Sequence, residues 1–148
     1  QKECDHMIRH AKKEDADSCI HLFDAISEDY SAYKNDSFYE ELHQGIERRE
    51  VFVSLDDDKL EGFVMFDRSK KELTMLAVQP KHRNQGLATK LIYTVAGCFE
   101  PEDEISVIAH GDEEEMEELK GFYHSCGFED DDDIIIDDPT CQRMVYRV

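Results

Sequence analysis

The sequence predicts an α+β domain whose first half is mainly antiparallel sheet, and three observations predict it. A short strand is followed by two amphipathic helices and then by three strands joined by short turns. A central apolar strand, Leu73 to Val78, then runs through a compact basic turn into an amphipathic helix and on to another apolar strand, Ile105 to Ala109. A helical crossover of that kind makes the two strands it joins parallel. The chain has 148 residues, which suits one domain able to bury roughly 68–70% of its unfolded surface without a metal or a disulfide.

Taken in order, Gln1 to His6 read as a leader, native or left by cloning, and the domain spans residues 7–148. Met7 to Ala11 is a strand. Glu14 to Tyr30 carries Ala16, Cys19, Ile20, Phe23 and Ile26 at helical spacing. A second helix runs from Phe38 to Arg49, with Ser37 and Glu40 spaced as a capping box. Val51 to Leu55 and Leu60 to Phe66 form a hairpin across an Asp triplet, Asp56 to Asp58, which lacks the glycine of a calcium loop and reads as a solvated tip. Glu113 to Cys126 is a helix that Gly127 ends in the left-handed conformation. Gln142 to Val148 reads as an edge strand, a place where a second copy could pair to make a homodimer.

The formal net charge of −19 argues against a nucleic-acid partner, since binding there rewards Lys and Arg that neutralise phosphates. It disfavours an anionic membrane surface for the same reason. No run of about 18 apolar residues and no signal-peptide core is present, so the expected location is cytoplasmic. Five cysteines, none spaced C-x-x-C, fit reduced thiols rather than a disulfide framework, and the seven histidines show no ligand spacing, so no metal is expected.

Between Leu73 and Phe99 there is no acidic residue, although 36 of 148 positions are Asp or Glu. The same window holds Lys81, Arg83 and Lys90. A buried strand and helix exclude charge, but that does not explain three cations beside Gly86. Gly86 has no Cβ and lets a ligand approach the backbone, while the first-turn amides of the following helix point at it, which suits a diphosphate.

Arg83-x-x-Gly86-x-Ala88 after an apolar strand resembles the acetyl-CoA pyrophosphate loop of the GCN5-related N-acetyltransferase (GNAT) superfamily. Phe122-Tyr123 ahead of Gly127-Phe128 resembles that family's second signature, and the resemblance extends over Ile8 to Val148. It implies a mixed, mostly antiparallel sheet of six to seven strands with about four helices, splayed between the central strand and its parallel neighbour. Backbone groups of Leu76, Ala77 and Val78 would then bond the pantetheine arm of acetyl-CoA. Arg83, Asn84, Gln85, Gly86, Leu87, Ala88, Thr89 and Lys90 would form the diphosphate loop, the direct bonds coming from the amides of Gln85, Gly86, Ala88 and Thr89.

The resemblance further implies direct transfer of an acetyl group to an amine. A free alkylamine is almost wholly protonated at pH 7, so a base must take its proton and an acid must protonate the departing thiolate. Tyr123 is the candidate acid by position, and a backbone N–H of Ala77 or Val78 would polarise the carbonyl. Glu72 is the candidate base, with Asp67 or His110 acting through water as alternatives. Met116 stands where many members carry a cofactor-holding Asn. The first two helices and their connection would border the acceptor site, which makes Tyr30, Tyr33 and Tyr39 candidates for substrate contact; ordinary core or surface aromatics are the plainer reading of the three. Thirteen acidic residues lie between Asp112 and Asp138 against Lys120 alone, and a groove containing Asp130 and Asp131 would draw in a cationic amine such as a polyamine, aminoglycoside or lysine side chain. Solvated acidic faces are the plainer reading of the same residues. A cofactor-sensing module without turnover and an acidic interaction protein are the other function classes.

Overall fold

The computed structural model describes residues 6–29, 37–82, 86–133 and 140–148. Residues 1–5 of the expected leader, Tyr30, Tyr33, Arg83, Asn84, Gln85 and the apolar run Ile134 to Ile136 lie outside the described residues, whereas His6, expected in the leader, opens the first strand.

Among the described residues seven strands form one sheet: β1 His6–His10, β2 Val51–Asp56, β3 Lys59–Asp67, β4 Glu72–Val78, β5 Glu104–His110, β6 Glu129–Asp130 and β7 Cys141–Arg147, in the spatial order β1-β2-β3-β4-β5-β7-β6. Every neighbouring pair is antiparallel except β4 and β5. Four helices accompany it, α1 Ala16–Asp29, α2 Phe38–Glu47, α3 Leu87–Ala96 and α4 Glu113–Ser125.

Alternation along the strands divides the apolar residues between two faces. Val51, Val53, Phe63, Met65 and Ala77 pack under α1 and α2, where Phe23 stacks on Phe38 with ring centroids 3.8 Å apart. Phe52, Val64, Phe66, Leu73 and the β5 residues Ile105, Val107 and Ala109 pack with Leu91, Ile92 and Val95 of α3 and with Tyr123 of α4. The β4 register slips by one against β3, so that Phe66 opposes Leu73 while Met65 opposes Met75, and Thr74 is the extra residue. That bulge turns Leu73 onto the α3 face although Met75 and Ala77 pack on the other.

The β2–β3 hairpin closes through Asp57 and Asp58, with φ of 49° and 71°. Two successive left-handed residues make the type I′ turn whose twist matches the strands, and Asp tolerates that region better than most residues.

Two expectations need correction. Ser37 does cap α2, but with helical dihedrals of φ −89° and ψ −2° and without a side-chain bond to the helix backbone. Its hydroxyl donates instead to Glu41 Oε1 at 2.9 Å, so the Ser37–Glu40 box does not form. A reciprocal box occurs at α4, where Asp112 Oδ1 accepts from the Glu115 amide at 2.8 Å and Glu115 Oε1 from the Asp112 amide at 3.1 Å. Second, β7 is not the edge of the sheet: it lies between β5 and the two-residue β6, which pairs with it at Val145 and Met144.

β1 is tied to the start of α1 by Arg9, whose guanidinium donates to Asp15 at 2.7 and 3.2 Å while the Lys12 amide donates to the same carboxylate at 2.7 Å. Burial alone would raise the Asp15 pKa, but these bonds outweigh it and hold the carboxyl below its ordinary value. A carboxyl lowered by folding adds stability above the unfolded value near ~3.9 and loses it as pH falls through the depressed native pKa. Urea unfolding should therefore show Asp15→Asn less stable than the wild type at pH 7 by about 1 kcal/mol, with the gap closing below about pH 4.

Candidate active site

The central feature is a split in the sheet. β4 and β5 are paired in register only at Glu72 and Ser106, where the Ser106 amide donates to the Lys71 carbonyl at 2.8 Å. Beyond that point the strands diverge, and a cleft of about 690 Å³ opens between them. Its walls are Leu73 to Val78 of β4 and Val107 to His110 of β5. The first turn of α3 and its cap (Gly86, Leu87, Ala88, Thr89) form one end, and α4 contributes Glu115, Glu118, Leu119, Phe122, Tyr123 and Ser125. The volume falls in the range of small-molecule and cofactor sites.

From Leu73 to Ala77 the β4 backbone forms no ladder with β5. A strand edge inside a protein needs hydrogen bonds from elsewhere, so a polar ligand lying in the split would complete it. At the α3 end, Gly86 has φ 78° and ψ 8°, a left-handed cap, and its carbonyl takes the first helical bond from the Lys90 amide at 3.1 Å. The preceding first-turn amides, Leu87, Ala88 and Thr89, have no intrahelical acceptor by the geometry of any helix. Together with the helix dipole they favour an anion at this end of the cleft. Lys90 is exposed and is not part of the lining.

Tyr123 is held from behind by the end of its helix. The Phe128 amide donates to the Tyr123 carbonyl at 3.0 Å and the Gly127 amide to the His124 carbonyl at 3.0 Å, with Gly127 at φ 99°. This is a Schellman closure, and its usual apolar contact is the Tyr123–Phe128 ring pair, 5.3 Å between centroids. Phe122 packs on the same ring at 5.2 Å, leaving Tyr123 only 7% exposed while it still lines the cleft. The Tyr93 hydroxyl of α3 donates to the Cys126 carbonyl at 3.0 Å, fixing α4 to the helix that carries the anion site.

The other expected residues separate into groups. Glu72 sits half-buried at the vertex of the split, just outside the cleft lining, whereas His110 lines its mouth. Asp67 belongs to the β3–β4 turn, where its carboxylate accepts from the Ser69 hydroxyl and from the Ser69 and Lys70 amides; these bonds, the Ser69 hydroxyl first, lower its pKa. Asp130 and Asp131 are outside the lining and already have cationic partners. Lys120 lies 3.1 Å and His124 2.9 Å from Asp130, and Arg143 donates to Asp131. Burial would raise the Asp130 pKa, but His124 and Lys120 prevail and lower it. Tyr39 donates to Asp24 at 2.9 Å, clasping α2 to α1 on the exterior. Met116 is packed into the α3-side core.

Sequence reasoning missed the Thr74 bulge, His82 and the α4 wall of Glu118 and Leu119. Bulges leave no mark in an apolar run, and His82 follows a proline turn without any periodic signal. Phe122 and Phe128 stood inside the motif that located Tyr123, and their support of its ring was readable there.

Residues 12–141 match the acetyltransferase (GNAT) domain family, and the chain belongs to that family. It is an N-acetyltransferase. No curated protein is similar enough in sequence to match it. Among solved structures, a GNAT-family acetyltransferase from Bacillus cereus superimposes with a TM-score of 0.72 at 18% identity, over 97% of this chain and 96% of that one. The PaiA N-acetyltransferase of Thermoplasma acidophilum, in complex with coenzyme A, gives 0.70 at 16% identity over 97% and 99%. Arabidopsis thaliana Naa50, in complex with the bisubstrate analogue CoA-Ac-MVNAL, gives 0.71 at 16% identity over 97% and 99%. The expected mixed sheet of up to seven strands, split at one parallel pair and flanked by four helices, is the observed fold.

A Cβ at position 127 would meet Tyr146 Cε1 at 3.1 Å on a backbone that favours glycine. Gly127→Ala should lower stability by about 1–2 kcal/mol and reduce turnover by loosening Tyr123. Gly121→Ala, whose Cβ meets nothing within 4 Å on the exposed side of α4, should raise stability by about 0.5–1 kcal/mol with turnover intact. Thermal melts and steady-state rates of both variants check the pair.

Proposed function

We propose that this N-acetyltransferase moves the acetyl group of acetyl-CoA directly to a primary amine, and that the amine is cationic. The observation that carries the reading is the split between β4 and β5, with an anion-favouring helix start at one end and a braced tyrosine on its wall. The coenzyme A and bisubstrate complexes of the Thermoplasma and Arabidopsis proteins support it.

Acetyl-CoA supplies the acyl group already activated as a thioester. In this reading Leu76, Ala77 and Val78 hold the pantetheine through their backbone, and the amides of Gln85, Gly86, Ala88 and Thr89 hold the diphosphate, with Arg83, Asn84, Leu87 and Lys90 completing the loop. The β4 amide of Ala77 or Val78 donates to the acetyl oxygen as negative charge develops there. Tyr123 gives its proton to the thiolate as the C–S bond breaks. Glu72, at the vertex where the two strands part, takes the ammonium proton through water and so frees the lone pair that forms the C–N bond, the second N–H proton leaving to solvent as the adduct collapses; His110, which lines the cleft, is the alternative base. Because Asp130 and Asp131 have cationic partners, attraction of a cationic amine rests on the net charge of −19 as a whole rather than on that pair.

Tyr123→Phe should lower kcat by about 10²–10⁴ with little change in the affinity for acetyl-CoA. Glu72→Gln should cost a similar factor, and an undiminished rate there with loss in His110→Asn would move the base to His110. Product should be sought by mass spectrometry from acetyl-CoA with spermidine, an aminoglycoside, free amino acids and a lysine-rich peptide. A polycationic acceptor whose kcat/KM falls as salt rises supports the cationic assignment, and product from neutral or acidic amines alone overturns it.

A further inference from the structure

Away from the cleft, at the β1 edge of the sheet, the carboxylate of Glu61 is fully buried, with 0% exposure. The β2–β3 register brings it there: Ser54 opposes Gly62 and Leu55 opposes Leu60, so Glu61 is the extra residue of a bulge and its side chain leaves the regular alternation. One carboxylate oxygen bonds His6 Nδ1 of β1, while the other, Oε2, has no hydrogen-bond partner among the described residues. Asp56, which pairs with His6 across the β1–β2 ladder, adds a second carboxylate. One ligand atom from each of His6, Asp56 and Glu61 lies within 4.8 Å of the others.

Two carboxylates this close, one wholly removed from water, repel each other, and an orphan buried carboxylate oxygen is destabilising unless something pairs with it. A neutral imidazole leaves two negative charges to balance. We propose that His6, Asp56 and Glu61 bind a divalent transition-metal cation of the zinc class. One imidazole nitrogen and two carboxylate oxygens are a donor set suited to zinc, with water in the fourth position. Bonds of about 2.0–2.2 Å at a tetrahedral centre place ligand atoms about 3.3–3.6 Å apart, so rotations of the three side chains close the site. His6 is exposed and gives the ion its path from solvent. The site joins β1 to the β2–β3 hairpin and stands apart from the transferase cleft, sharing no residue with its lining.

The test uses the full chain, freed of any histidine tag and of bound metal, titrated with cobalt(II) and zinc(II). Expected are one cobalt per chain, a visible spectrum without the thiolate charge-transfer band that cysteine ligands would give, and a melting temperature raised by several degrees at about a hundredfold excess over Kd. His6→Asn and Asp56→Asn, both at positions with solvent access, should each weaken binding at least tenfold while circular dichroism shows the fold retained. Glu61→Gln should do the same if it folds, but the His6 and Asp56 variants decide the matter without it. Absent binding up to about 1 mM, a thiolate band, or unchanged affinity in the His6 and Asp56 variants would each overturn the site. A His6→Asn protein that melts lower but binds cobalt as before would leave only an ion pair with Glu61.

Discussion

Everything at the candidate active site depends on how little of β5 touches β4. One parallel register pair, at Glu72 and Ser106, joins the two halves of the sheet, and the rest of both strands separates. Antiparallel pairing continues on either side, β2 and β3 against β4 and β7 against β5, so the gap is held open by two well-formed half-sheets. The α3 side keeps those halves together, because Leu91, Ile92 and Val95 pack with residues from both, among them Val64 and Leu73 on one and Ile105 and Val107 on the other. A helix bridging a split sheet leaves main-chain hydrogen-bonding groups facing a cavity that side chains do not fill.

The second constraint is the termination of α4. A tyrosine three residues from a helix end would ordinarily share the fraying of that end. Here the left-handed Gly127 and the Phe128 amide close the helix back onto Tyr123, and two aromatic rings confine its side chain. The Tyr93 bond to the Cys126 carbonyl then sets the distance between this end and α3. Loop chemistry therefore positions the group assigned to proton transfer.

Much of this was legible in the sequence, and the parts that were not have common physical causes. The order of elements followed from apolar periodicity, and all four helices and the main strands lie close to where that periodicity placed them. The loop around Gly86 was visible because charge had been excluded from one window of an otherwise acidic chain. Tyr123 was located by its spacing to Gly127. What escaped were features set by pairing rather than by pattern. The Thr74 and Glu61 bulges, the interior position of β7, and the cations facing Asp130 and Asp131 all depend on which strand or helix lies alongside, and local sequence does not record that. The capping box failed at Ser37 for a related reason, since the hydroxyl can be satisfied by a carboxylate one residue further on, at Glu41.

Apart from the Thr74 hydroxyl, the polar lining of the β4 wall is main chain, and that has a consequence for how such a protein can change over time. Peptide groups are common to every residue type, so replacing one apolar side chain by another along Leu73 to Val78 alters volume without deleting a donor or an acceptor. Selection acting there would preserve the path of the strand more strictly than its letters. Structures that share 16 to 18% of their residues with this chain while superimposing over 97% of it are what such a rule would leave behind. Drift is restricted where conformation itself needs a particular residue, as at Gly86 and Gly127, and those two glycines anchor the two motifs on which the resemblance to the family was first read.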